Sequence, residues 1–255
     1  MLILYEPESL EFAELLSRDL GCEKIQLNIP QFPNGEFKIE PIYLDKEHVL
    51  VICSTVNDIN SQLLKYFLIL QNLQDVEIID VFMPYIQYSR QDKSEAFKFI
   101  LNALKLLKVR RIITIDIHKL IEDNFIVNIL PHELLGEKYT NGDFVIVAPD
   151  IGAIPRARAF SEYLHTELVT IDKVSGNTEN IAIANGRNCL IVDDIIDTGR
   201  TIRNTQGILI SAGAKHIEYC ISSDIRNNLS QFHEAIAKII LYMFCVYCTG
   251  RLYVI

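Results

Sequence analysis

The stretch LIVDDIIDTGRTIRNT (190–205) contains the pattern on which the interpretation of the whole chain depends. An apolar run ends in two adjacent carboxylates, Asp193 and Asp194, and a third acid, a threonine and Gly199 follow within five positions. This pattern predicts a buried strand, a tight turn at the glycine and a helix that begins near Thr201. A helix N-terminus presents unpaired N–H groups and the positive end of the helix dipole, so we expect a phosphate to bind in the turn.

The acids around this turn indicate what else the ligand carries. Each carboxylate can accept two hydrogen bonds, so Asp193, Asp194 and Asp197 suit a sugar with adjacent hydroxyl groups, such as a furanose with a 5-phosphate. The hydroxyl groups of Thr198 and Thr201 would add donors for the phosphate. A bound divalent cation would relieve the repulsion between the acids. The alternative is an acidic N-cap on a surface turn, for which one acid would suffice.

Strand-like and helix-like segments alternate along most of the chain. The strand-like runs are continuously apolar and rich in Val and Ile, which is typical of parallel sheets covered by helices on both faces. These runs include VLVIC (49–53), VEIIDVF (76–82), RIITIDI (111–117), FVIVAPD (144–150) and NCLIVDD (188–194). The polar segment EKYTNGDF (137–144) indicates a boundary between two similar α/β halves, so we expect domains at residues 1–141 and 142–255.

Composition excludes several classes of function. The chain has 255 residues and a net charge of -9, which argues against a nucleic-acid partner held by a broad basic surface. It begins without a secretory signal and has no apolar run of membrane-spanning length, so we expect a cytoplasmic protein without a membrane partner. The six cysteines are expected to be reduced thiols, mostly in the core. A zinc or redox role for Cys245 and Cys248 is disfavoured, since no second ligand pair accompanies them.

Polar side chains also follow two strand-like runs of the first half. Arg90 and Gln91 come after VEIIDVF, and a guanidinium there suits phosphate oxygens, although a solvated loop charge is the alternative. Asp116 and His118 end the next run and would lie on the same side of an extended backbone. An ordinary loop histidine is the alternative.

These residues resemble motifs of known enzymes. VDDIIDTGRT (192–201) is similar to the ribose-5-phosphate loop shared by phosphoribosyltransferases and ribose-phosphate pyrophosphokinases. Four other segments resemble the pyrophosphokinases: FPNGE (32–36), VFMPYIQYSRQDK (81–93), TIDIHK (114–119) and VAPDIGAIPRARAF (147–160). By itself, Asn34-Gly35 would predict only a hairpin turn. The chain has no Walker phosphate loop, so an ATP site would be of this family's own type.

The resemblance implies an α/β fold of two similar phosphoribosyltransferase-like domains, each a mostly parallel sheet flanked by helices. It implies Mg²⁺-dependent transfer of diphosphate from ATP to ribose 5-phosphate, a step of nucleotide biosynthesis, by a homo-oligomer in which the 32–36 loop reaches the ATP of a neighbouring subunit. The implied ATP ligands are Phe32, Asn34, Glu36, Arg90 and Gln91, and the implied metal ligands are His118 and Asp150. Asp193, Asp194, Asp197, Thr198, Gly199, Arg200 and Thr201 would hold the sugar phosphate, and Lys173 and His118 would be catalytic.

The chain departs from the family pattern at the catalytic loop. Lys173 matches the family's lysine, but Ser175 stands where the family has an arginine, and the loop is shorter. The C-terminal run LYMFCVYCTGRLYVI (241–255) has no counterpart in the motifs and is treated as a strand whose place in the second sheet is left open. Beside the synthetase, two alternatives therefore remain, and the ATP-like motifs of the first half argue against the second of them. The chain would be a regulatory paralogue that binds nucleotide or sugar phosphate and associates with a full-length synthetase, or else a phosphoribosyltransferase.

Overall fold

The computed structural model describes residues 1–53, 58–90, 95–118, 124–172, 178–195, 199–227 and 229–249. By its contacts the chain divides into two compact units. The first contains residues 1–114, 120–128 and the segment from Leu229, and the second contains residues 115–119 and 129–228. The boundary expected between residues 141 and 142 stays a prediction. Over the described residues, no helix is long and apolar enough to cross a membrane.

The first unit is built on a six-stranded sheet. Its strands are β1 (Leu2–Tyr5), β2 (Glu23–Gln26), β3 (His48–Ile52), β4 (Ile78–Phe82), β5 (Val109–Ile115) and β6 (Ile126–Ile129), and its first helices are α1 (Leu10–Leu20), α2 (Ile59–Gln71) and α3 (Glu95–Leu106). The sheet has the order β2-β1-β3-β4-β5-β6, and β1 to β5 pair in parallel. The sequence predicted that the apolar runs would be strands. A strand is apolar along most of its length when helices cover both faces of its sheet.

The second unit is built on a five-stranded sheet. Its elements are α4 (Pro131–Tyr139), β7 (Phe144–Ala148), α5 (Ile154–Tyr163), β8 (Leu168–Ile171), β9 (Thr178–Glu179), β10 (Asn188–Asp193), α6 (Arg200–Ser211), β11 (His216–Ile221) and α7 (Ser222–Asn227). The order is β11-β10-β7-β8-β9, in which only β9 is antiparallel to its neighbour within the described strands. One face packs against Phe160 of α5 and the other against Leu209 of α6. The predicted α/β class, with two mostly parallel sheets, is confirmed.

The described part of the C-terminal run, which ends at Thr249, is a helix, so its treatment as a strand was wrong. Helix α8 (His233–Thr249) packs against α1 in the first unit, and its buried residue Ile240 lies one helical turn after the buried pair Ile236 and Ala237. An apolar run cannot be assigned by periodicity alone, and its length decides between the two structures. A run of more than ten apolar residues is too long for a typical strand and is accommodated by a helix.

The cysteines whose side chains are described occur as free thiols. Cys53, Cys189 and Cys220 are buried, and Cys22 is half-buried. Burial raises the pKa of the Cys53 and Cys189 thiols, which makes them poor nucleophiles. The prediction of core thiols is confirmed for these three positions, while the side chains of Cys245 and Cys248 lie outside the described residues.

Candidate active site

Two buried carboxylates lie at the carboxyl end of β10. Asp193 is the last residue of the strand and Asp194 follows it, and Oδ1 of Asp193 accepts a hydrogen bond from the Asp194 backbone N–H at 2.9 Å. Gly199 has a φ of 69°, which a side chain would strain, and α6 begins directly after it. The predicted strand and helix are confirmed, and the left-handed φ of Gly199 fits the predicted turn. Asp197 and Thr198 lie outside the described residues.

The positive charge between the acids comes from Arg156, which is only 5% exposed on α5. Its Nη1 donates to Oδ1 of Asp193 and to Oδ1 of Asp194, each at 3.2 Å. Its Nε donates to Oδ1 of Asp116 at 3.2 Å. The sequence assigned relief of the acid repulsion to a bound cation and missed this arginine. We call Asp116, Arg156, Asp193 and Asp194 the acid cluster.

His118 also reaches the acid cluster, but not for the predicted reason. Its Nδ1 lies 2.8 Å from Oδ2 of Asp194. Strand β5 ends at Ile115, and Asp116 has a φ of 46°, in the left-handed region rather than the extended one. The argument from an extended backbone was therefore wrong, although both side chains end at the same cluster. His118 and Asp116 belong to the same unit as the acids.

The cluster is completed from the end of β11, where the sequence analysis found no motif. Ser222 Oγ donates a short hydrogen bond to Oδ2 of Asp116. Arg226 Nη2 donates to the backbone oxygen of Asp194 at 2.7 Å, and the Ser223 N–H donates to the same oxygen at 3.0 Å. The only available signal was a serine directly after an apolar strand, HIEYCIS, at the same edge of the sheet.

The two adjacent acids differ in their electrostatics. Burial is the largest influence on Asp193 and raises the pKa of its carboxyl group, and the charge of Asp194 adds to this. Burial also opposes ionisation of Asp194, but the hydrogen bond with His118 and the charge of Arg156 outweigh it and lower the pKa of that carboxyl. Burial raises the pKa of Asp116. The cluster thus presents one firmly ionised carboxylate beside one that accepts a proton more readily.

The expected metal ligands fit a loosely held cation. Asp150 caps a short 3-10 helix (Ile151–Ala153) with Oδ1 accepting from the Ala153 N–H at 3.2 Å, and its charge contributes to the raised pKa of Asp193. Across the described side chains, no group of three or more His, Cys, Asp or Glu could hold a metal ion. Mg²⁺ commonly takes one or two carboxylates and completes its shell with water and substrate phosphates. The Asp150 carboxylate suits this role, whereas the imidazole of His118 is a softer ligand than Mg²⁺ prefers.

Three of the expected ATP ligands, Phe32, Asn34 and Glu36, lie on a hairpin of the first unit. Gln31 and Phe37 form an antiparallel bridge, and the Asn34 Oδ1 accepts from the Glu36 N–H at 3.2 Å. The predicted Asn34-Gly35 turn is confirmed, and it leaves the Phe32 side chain 48% exposed. Arg90 is exposed after β4. Gln91 and the catalytic Lys173 lie outside the described residues.

Two family models match consecutive parts of the chain. The one described as the N-terminal domain of ribose phosphate pyrophosphokinase matches residues 1–113. The one described as a phosphoribosyl transferase domain matches residues 121–233. Together they include most of both sheets and three of the four residues of the acid cluster, all but Asp116.

Curated relatives and a solved structure agree with these models. Ribose-phosphate pyrophosphokinase 1 of Streptococcus pneumoniae is 29% identical over 233 residues, 81% of this chain and 72% of the relative. Ribose-phosphate pyrophosphokinase of Listeria ivanovii is 29% identical over 247 residues, 84% of this chain and 75% of the relative. The crystal structure of phosphoribosylpyrophosphate synthetase from Mycobacterium smegmatis has a TM-score of 0.69 at 24% identity, over 86% of this chain and 79% of that one, and shows the same fold. The chain belongs to the ribose-phosphate pyrophosphokinase family.

Proposed function

We propose that this chain is a ribose-phosphate diphosphokinase, which converts ATP and ribose 5-phosphate to phosphoribosyl pyrophosphate and AMP. The observation that carries the proposal is the buried pair Asp193 and Asp194, which precedes the N-terminus of α6. Acceptors for adjacent hydroxyl groups and donors for a phosphate would then lie close together. Membership of the family supports the reaction class.

The sugar phosphate would bind at this turn. Asp193 and Asp194 would accept hydrogen bonds from ring hydroxyl groups, and Arg156 keeps their side chains in place without taking up every acceptor. The 5-phosphate would bind the backbone N–H groups at the start of α6. The turn residues assigned to it are Asp197, Thr198, Gly199, Arg200 and Thr201.

ATP would bind with its base at the hairpin. The exposed ring of Phe32 would stack on adenine, and Asn34 and Glu36 would hydrogen-bond its edge. Arg90 and Gln91 would contact the phosphates. Asp150 would hold Mg²⁺, which supplies charge neutralisation for the phosphates, and His118 would contact the phosphates. The hairpin would act on a neighbouring subunit of a homo-oligomer.

In the reaction, the 1-hydroxyl oxygen of the sugar forms a bond to the β-phosphorus of ATP. The bond from that phosphorus to the oxygen bridging the α-phosphate breaks, AMP leaves with the electron pair, and the hydroxyl proton passes to water. Lys173 would stabilise the charge that develops on the transferred group. Because Ser175 stands in the position of the family's arginine, we expect slow turnover.

The first measurement is AMP release from ATP in excess Mg²⁺ at high enzyme concentration, with and without ribose 5-phosphate. AMP that depends on the sugar would support the proposal. The double variant Asp193→Asn with Asp194→Asn should lose both this signal and calorimetric binding of ribose 5-phosphate. Wild-type protein that binds the sugar phosphate and releases no AMP would contradict the proposal.

Ser175 stands where the family has an arginine, and this difference favours a second candidate function. A regulatory paralogue would bind nucleotide or sugar phosphate at the same residues and associate with a full-length synthetase. Adding this chain to an active synthetase would then change the rate of that enzyme. An unchanged rate at all concentrations, with no co-elution, would count against this candidate.

A further inference from the structure

The hairpin of the first unit, residues 31–38, has one side chain that is partly buried, and this side chain contacts the rest of the unit. From residue 31 to residue 38 every side chain is exposed except that of Phe37, which is half-buried. The strands of the hairpin bond to each other, from the Phe32 N–H to the Glu36 oxygen and from the Lys38 N–H to the Pro30 oxygen, each at 2.8 Å. These bonds give the hairpin its shape, but its orientation on the unit depends on what Phe37 contacts.

Phe37 lies against a buried cation. Nζ of Lys65, on α2, is 5.6 Å from the centre of the Phe37 ring, within the range of a cation–π interaction. Lys65 is 6% exposed and forms an ion pair with Glu6, which is 4% exposed and directly follows β1. The pair therefore joins the sheet, α2 and the hairpin.

Stability alone gives little reason for this ion pair. Burying two charges costs hydration free energy, and well-packed apolar residues are often at least as stable in their place. Here Oε2 of Glu6 has no hydrogen-bond partner among the described residues, so part of that cost is not recovered. An apolar residue at position 65 would fill the space, but it would not present a positive charge to the Phe37 ring.

We propose that Lys65, oriented by Glu6, is a positioning residue that fixes the hairpin carrying Phe32, Asn34 and Glu36. By holding the hairpin in one orientation, it reduces the conformational entropy lost when a nucleoside triphosphate binds. The effect on nucleotide binding rests on the proposed function, whereas the effect on the order of the hairpin does not. The two effects can therefore be tested separately.

The first test measures the order of the hairpin without nucleotide. The chain contains no tryptophan, so Phe32→Trp introduces a single fluorescent reporter at the hairpin. In this background, Glu6→Gln with Lys65→Met should lower the fluorescence anisotropy and raise the acrylamide quenching constant, the latter roughly twofold, for a contact of cation–π strength. In the same background with Glu6 unchanged, Lys65→Arg keeps the cation and should give the anisotropy and quenching constant of Phe32→Trp alone. An unchanged reporter in the double variant would overturn the proposal.

A matched control is available in the same unit. Nζ of Lys24 lies 5.7 Å from the Tyr5 ring and pairs with Glu14 at the surface. Lys24→Met removes a similar contact that involves no hairpin residue, so it should leave the reporter unchanged. A reporter that responds equally to both variants would mean a general loosening and would also overturn the proposal.

The second test keeps Phe32 and measures turnover. The double variant Glu6→Gln with Lys65→Met should raise KM for ATP roughly three- to tenfold, with kcat and KM for ribose 5-phosphate within about twofold of wild type. Its unfolding temperature should stay close to wild type, because both buried charges are removed together. Equal losses for both substrates would overturn the positioning role. If the wild type releases no AMP, the proposed function fails while the fluorescence result still decides the inference.

Discussion

Replacing Arg156 with methionine would leave the acid cluster without its buried positive charge. Methionine has a similar length and volume but cannot donate the three hydrogen bonds that the guanidinium gives to Asp116, Asp193 and Asp194, each at 3.2 Å. Breaking a buried ion pair by removing one partner typically costs about 3–5 kcal/mol. For a unit of this size, that corresponds to a fall of roughly 10–20 °C in the unfolding temperature.

The same variant should change the pH dependence of the cluster. The pKa values of Asp116 and Asp193 are already raised and rise further without the arginine, and the pKa of Asp194 rises as well, so proton binding stabilises the folded unit more than in the wild type. That stabilisation is complete at pH values below the unfolded pKa and is lost as pH rises through the raised folded pKa. The deficit relative to wild type should therefore be smaller at pH 5 than at pH 8, by about 1.4 kcal/mol for each unit of pKa shift.

Thermal unfolding followed by circular dichroism at pH 5, 6.5 and 8 would measure both effects. Arg158→Met is the matched control, since Arg158 is exposed on the same helix two residues away. It should change stability by less than about 0.5 kcal/mol. A deficit for Arg156→Met that is equally small, or that is the same at pH 5 and pH 8, would refute the assignment of Arg156 as the charge that holds the acids together.

Three further substitutions test other parts of the molecule. Asp80 is fully buried in β4, where burial would raise its pKa, but bonds from one histidine and two arginines lower the pKa to about 2. Asp80→Asn should therefore lower the free energy of unfolding in urea by about 2–3 kcal/mol at pH 7, and by progressively less as pH falls from 4 to 2. A cost that stays constant over this pH range would contradict the prediction. Ser222→Ala leaves Oδ2 of Asp116 without its donor and should weaken calorimetric binding of ribose 5-phosphate with no change in KM for ATP, so equal changes in both would argue against it. Lys173→Ala should lower turnover at least about a hundredfold with unchanged binding of ribose 5-phosphate, and unaltered turnover would rule out its role.

The sequence was most informative where a local rule determines the structure. The run that becomes β7 is apolar along its whole length, and the run that becomes β3 is apolar from Val49 onward, because helices cover the sheets. Alternation with helical segments was therefore enough to predict the class. Gly199 was expected in a turn, and its φ of 69° lies in the left-handed region that such a turn requires. The prediction for the C-terminal run was wrong because periodicity alone does not distinguish a buried strand from a buried helix.

The chemistry of the acid cluster was harder to predict, because it depends on contacts between residues far apart in sequence. The motif around Arg156 was recognised, but nothing local shows that its guanidinium turns inward to three carboxylates. Ser222 is 106 positions from the carboxylate it contacts and belongs to no motif. The left-handed backbone of Asp116 is likewise set by the surrounding fold rather than by its own side chain.

The position of Arg156 also bears on whether the second unit can fold before it binds a ligand. In many small metal-binding domains the polypeptide stays unfolded until the ion arrives, because only the ion can bring the anionic ligands together. Here the compensating charge is part of the same polypeptide and lies on a helix of the same unit. The second unit can therefore complete its fold during synthesis, before it meets any ligand, and chelators such as EDTA should leave its melting curve unchanged.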